Sequence, residues 1–96
     1  MAHGLSDELV RAMVLMAQEY RLERLILFGS RARGSYRPAS DVDLAASGGD
    51  VLRFALALEE EAPTLLSFDV VDLDGQVQQA LRDEIERDGV VLYEKD

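Results

Sequence analysis

Ninety-six residues admit one domain, and a composition of 48% hydrophobic and 30% charged residues excludes a disordered tail or linker. The absence of cysteine excludes disulfides, thiol nucleophiles and cysteine zinc sites. Nineteen acids against ten bases give a net charge of −9, which disfavours stable binding to a nucleic-acid backbone.

The chain opens on Met1-Ala2-His3-Gly4, which lacks the basic-then-apolar order of a signal peptide. His3, the only histidine, is expected in a disordered terminus without a metal or acid–base role. Ser6 is a good N-cap, with Asp7 and Glu8 in the first turn where the helix dipole favours acids. Leu9, Val10, Met13, Met16, Ala17 and Tyr20 recur at helical spacing and predict a helix to about Glu19. Arg24 to Phe28 reads as a buried strand ending at a glycine, and Val42 to Ala46 as a second strand after a turn containing Gly34, Pro38 and Ser40. Apolar positions from Val51 to Leu58 predict a helix stopped by Pro63, with Glu59, Glu60 and Glu61 on its surface. Ser67 to Leu73 predicts a third strand closed by Asp74-Gly75. Val77, Ala80, Leu81 and Ile85 predict one face of a last helix ending at Gly89, and Val90 to Tyr93 a final strand. No run is apolar enough to span a bilayer, so the expectation is a cytoplasmic protein without membrane contact. The order α-β-β-α-β-α-β implies an α/β (α+β) fold, a mixed sheet of about four strands packed with helices in one domain over residues 1–96.

The bases are unevenly placed. Arg21, Arg24, Arg31, Arg33 and Arg37 crowd into residues 21–37, where the only acid is Glu23. They read either as a solvated loop or as a local anion site on an otherwise acidic molecule.

The segment Phe28-Gly29-Ser30-Arg31-Ala32-Arg33-Gly34, followed by Ser40-Asp41-Val42-Asp43-Leu44, carries the chemistry. Asp41 and Asp43 stand two apart, so in a strand both leave one face, roughly 7 Å apart at Cα. Two neighbouring carboxylates repel unless they are solvated or bridged by a cation, and hard oxygen ligands suit Mg²⁺. Val42 and Leu44 then face the core. Gly29, lacking Cβ, lets the backbone approach a ligand, and the residues after it can begin a helical turn whose N–H groups attract phosphate. The Gly-Lys-Ser/Thr of a Walker A loop is absent. A third acid comes from Asp69 or Asp72, which face opposite sides of their strand because their spacing is odd. Asp69, flanked by Phe68 and Val70, is the expected member, since an acid between two apolar residues more strongly demands a reason.

Gly-Ser, ten residues, then Asp-x-Asp with a third acid on a later strand resembles the signature of the polymerase beta-type nucleotidyltransferases. Five fixed positions (Gly29, Ser30, Gly34, Asp41, Asp43) match by chance on the order of 10⁻⁶ per register at average residue frequencies. The chain is most similar to the minimal nucleotidyltransferase (MNT) branch, the antitoxin partners of HEPN-domain ribonuclease toxins, over nearly its whole length. The resemblance implies Mg²⁺-dependent transfer of AMP from ATP to a protein acceptor. Asp41, Asp43 and Asp69 would hold two Mg²⁺ ions, Gly29 and Ser30 would bind the β- and γ-phosphates, and Arg31 or Arg33 would neutralise charge there. It also implies a HEPN toxin as the acceptor, modified on a tyrosine. Two further readings fit the residues: an antitoxin that works by binding alone, and a nucleotidyltransferase acting on a small molecule such as an aminoglycoside.

Overall fold

The computed structural model describes residues 3–96. The elements run α1 (Asp7–Glu19), β1 (Leu22–Phe28), α2 (Gly29–Arg33), β2 (Val42–Gly48), α3 (Val51–Glu61), β3 (Phe68–Asp72), α4 (Gln79–Asp88) and β4 (Val90–Glu94). The seven expected elements appear in the expected order. The five-residue α2 is an addition, too short for any hydrophobic period to announce it.

Local chemistry starts the two long helices. The Ser6 side chain accepts a hydrogen bond from the Leu9 amide at 3.1 Å, and the Asp50 carboxylate caps α3 through the Arg53 amide, also at 3.1 Å. α4 differs from its expected extent. It begins at Gln79 rather than near Val77, its N-cap residue Gln78 makes no side-chain capping bond, and Ala80 is solvent-exposed. No capping residue stands between Gly75 and Gln79, and the helix is placed by packing of Leu81 and Ile85 together with the hydrogen bonds of Arg82.

The four strands lie in the order β3-β2-β1-β4. β1 is antiparallel to both β2 and β4, whereas β2 and β3 are parallel and joined through α3. Alternation along the strands loads both faces. Leu25, Leu27, Val42, Leu44 and Ala46 pack with Leu9, Met13 and Ala17 of α1 and with Phe54 and Leu58 of α3. On the other face, Ile26, Phe28 and Ala45 pack against Ile85 of α4. Met13 is therefore core filler, as expected, and truncation of fully buried Phe54 to Ala would cost about 3–5 kcal/mol.

The turn after β3 is held by its own acids. Asp72 Oδ1 accepts from the Asp74 amide at 2.9 Å, and Asp74 Oδ2 accepts from the Gly48 amide at 2.7 Å. Arg82 of α4 donates to the Leu73 carbonyl at 2.8 Å. These bonds lock the far end of β3, and with it the register of β3 on β2.

Candidate active site

That register runs in one line across three strands: Phe28 opposite Asp43, and Asp43 beside Asp69. Neighbouring strands stand roughly 4.8 Å apart, and paired residues share a face, so Asp43 and Asp69 project together on the α4 side of the sheet. Asp72 pairs with Ala46, whose side chain belongs to the opposite core, and its carboxylate closes a turn. The geometry thus places Asp69, and not Asp72, beside Asp43. Asp41 lies one residue before β2 rather than within it, at the mouth of the loop that leads from α2.

Gly29 follows directly from Phe28 and adopts φ +74°, a left-handed conformation that disfavours a side chain. A Cβ built on Gly29 would run into the Asp43 carboxylate. The glycine therefore makes room for the acid on the neighbouring strand. Ser30 follows in the first turn of α2, whose N-cap residue Phe28 offers no side-chain acceptor to the leading amides.

Electrostatics mark the same place. Burial raises the Asp43 carboxyl above its ordinary pKa, and the negative charges of Asp69, Asp41 and Glu84 raise it further. Arg33 alone opposes them. Arg33 leaves α2 and meets Glu84 of α4, Nη1 to Oε2 at 3.3 Å. Glu84 had no signal in the sequence, where it is one more acid on a helix, and only the packing of α4 on α2 brings its charge to Asp43.

Arg31 departs from expectation. It is 2% exposed, and its guanidinium reaches into the loop that precedes Asp41. Nε donates to the Ser40 carbonyl at 3.1 Å, Nη2 to the carbonyls of Ser40 at 3.0 Å and Pro38 at 3.1 Å, and Nη1 to the His3 carbonyl at 3.0 Å. The Tyr36 ring lies under the guanidinium, 4.9 Å from its centroid. Four hydrogen bonds thus tie the guanidinium to backbone carbonyls. The same contact gives His3 a fixed place where a disordered terminus was expected. Its carbonyl holds Arg31, its Nδ1 accepts from the Leu5 amide at 3.1 Å, and burial, with the nearby positive charge, lowers its pKa. Nor do the five arginines gather: Arg24 sits toward the other end of β1, bridged to Glu94 at 3.3 Å.

Among the described residues, no three His, Asp or Glu side chains converge as a ready-made cation cage. The donor set nevertheless fits a hard divalent ion. Asp41 and Asp69 both add negative charge at Asp43, and Mg²⁺, a hard ion that commonly completes its shell with water and substrate phosphate, suits carboxylates held this way. A cleft of about 330 Å³, lined by Arg24, Ile26, Leu73, Arg82, Ile85 and Val91 among others, contains none of these acids. It lies on the flank of α4 away from Glu84 and is not part of this centre.

The carboxylate pair on adjacent strands thus stands beside a glycine turn and a short helix. Residues 13–96 match the family model described as polymerase beta, nucleotidyltransferase, and the chain belongs to that family. Among solved structures it is similar to a toxin–antitoxin with AMP-PNP, 23% identical with a TM-score of 0.70, covering 95% of this chain and 76% of that one. It is also similar to a variant of the toxin–antitoxin MntA–HpeT, 22% identical with a TM-score of 0.70, covering 90% of this chain and 72% of that one. A protein from Shewanella oneidensis is 17% identical with a TM-score of 0.65, covering 95% and 74%. At these identities the likeness is one of fold. Comparison with curated proteins finds no match.

Proposed function

We propose that this chain transfers AMP from ATP to a hydroxyl of a protein acceptor, and that it acts as the antitoxin of a toxin–antitoxin pair, its acceptor being a HEPN-type toxin. The observation that carries the chemistry is the in-register placement of Asp69 beside Asp43 above Gly29. Asp41, Asp43 and Asp69 would hold two Mg²⁺ ions, which when bound neutralise the triphosphate and the charge that develops on the entering and leaving oxygens. Gly29 and Ser30 present backbone and hydroxyl to the β- and γ-phosphates, and Arg33, on the Asp43 side of α2, adds positive charge there. The acceptor oxygen attacks the α-phosphorus, the bond from that phosphorus to the bridging oxygen breaks, and pyrophosphate leaves. Asp69, exposed on an edge strand beside the half-buried Asp43, takes the proton of the attacking hydroxyl.

The protein acceptor and the antitoxin role are supported by the toxin–antitoxin pairs among the fold relatives, and by an acidic molecule suited to a basic partner. An intact-mass measurement tests the reading. The candidate toxin is incubated with ATP, Mg²⁺ and wild-type, Asp69→Asn or Asp72→Asn protein. The expected result is a gain of adenylate units with wild type and Asp72→Asn but not with Asp69→Asn. Toxin silenced by every variant without any mass gain would establish neutralisation by binding alone.

A further inference from the structure

Arg31 heads the largest fully buried side chains of the protein, yet no carboxylate bridges it among the described residues. Burying a guanidinium is costly unless its donors are met, and here carbonyl oxygens meet them. Two of those oxygens belong to Pro38 and Ser40, and Ser40 is gripped twice, by Nε and by Nη2. The next residue is Asp41. It precedes the first ladder bond of β2, in which the Val42 amide donates to the Ser67 carbonyl at 2.9 Å, so the sheet itself does not hold it. Arg31 in turn is fixed in α2, whose first residues are Gly29 and Ser30 and whose end is set by Gly34 at φ +83°. One side chain therefore ties the loop bearing the first acid to the helix bearing the glycine–serine pair.

We infer that Arg31 is a positioning residue: it sets Asp41 at a fixed distance from Gly29 and Ser30 by holding the Pro38 and Ser40 carbonyls, and it does not touch the triphosphate. The inference rests on the nucleotidyltransferase reading of the site. It also assigns the His3 segment a place in the device, because the His3 carbonyl takes Nη1 and the Tyr36 ring packs on the guanidinium. A lysine keeps the charge but has a single nitrogen, which cannot reproduce a fork spread over three carbonyls. A phosphate-contacting arginine would tolerate that change far better than a loop-holding one.

Two readouts on the full chain test this, neither requiring activity. In Arg31→Lys, amide hydrogen exchange over residues 36–41 should quicken at least tenfold, while amides of β1 and α3 keep their protection. Mn²⁺ affinity, read by calorimetry, should fall at least tenfold in Arg31→Lys and in Asp41→Asn. The double variant should be no weaker than Asp41→Asn, because Arg31 acts through that acid. Should Arg31→Lys fail to fold, Tyr36→Leu removes the stacked ring, leaves the four hydrogen bonds, and should give the same pattern with smaller amplitude. Unchanged exchange, or additive losses in the double variant, overturns the positioning role while the functional reading stands. Wild-type protein that binds neither Mn²⁺ nor ATP overturns the functional reading, and the positioning role falls with it.

Discussion

Asp43 is the residue on which the site's electrostatics converge, and its raised pKa has a sign that can be followed into stability. A carboxyl whose folded pKa lies above its unfolded value binds more protons in the native state, so stability is lost as pH rises from the unfolded pKa of about 3.9 through the folded one. At neutral pH without divalent ions the ionised Asp43 therefore costs stability. Asp43→Asn should melt higher than wild type in EDTA at pH 7, with the gain shrinking as pH falls toward 4, and should have lost nucleotide transfer. A lower melting point at pH 7 would contradict the like-charge account. Gly29 answers to the same carboxylate. Gly29→Ala places a side chain at φ +74° and against Asp43, and the backbone strain alone costs about 1–2 kcal/mol. In an Asp43→Ala background the same change should cost less, because only the strain remains. Equal costs in both backgrounds, measured by urea unfolding, would mean that the carboxylate does not press on that position.

Two helices bear on Asp43 with opposite signs. Arg33 of α2 lowers its pKa and Glu84 of α4 raises it, although the two are paired with each other at 3.3 Å. Both side chains are partly exposed, so removing either should change stability by less than about 1 kcal/mol. Their effects on the site should nevertheless diverge. Arg33→Gln should push the Asp43 titration higher and weaken Mg²⁺-dependent ATP binding, and Glu84→Gln should bring the titration down. Carboxyl NMR titration reads both, and shifts of the same sign would refute the arrangement. At this scale the sequence was informative wherever a rule is local. Period two separated Asp69 from Asp72, and the caps at Ser6 and the stop at Pro63 set helix ends. It was silent where partners come from afar. Arg31 reads as a surface arginine until carbonyls seven, nine and twenty-eight residues away are brought to it. Glu84 is fifty-one residues from Arg33 and gains meaning only from the packing of α4 on α2.

At the scale of the whole molecule, a net charge of −9 opposes compaction, and part of that repulsion is concentrated in the three aspartates. Simple salt should screen the general repulsion, whereas Mg²⁺ should add a specific term that grows with site occupancy. At ten times its dissociation constant that term is about 1.4 kcal/mol, several degrees in melting temperature for a chain of this size. The excess of Mg²⁺ over NaCl at equal ionic strength should vanish in Asp43→Asn. An excess that survives would place the ion elsewhere. The sheet order adds a consequence of its own. Asp69 rides on β3, which is paired on one side only, while Asp43 lies on the inner strand β2. Outer strands fray at a smaller free-energy cost than inner ones. Fraying of β3 from the end that the Asp72, Asp74 and Arg82 bonds do not hold would part the two carboxylates. If the proposed transfer depends on that pair, activity should fall on warming before the body of the protein melts and return on cooling.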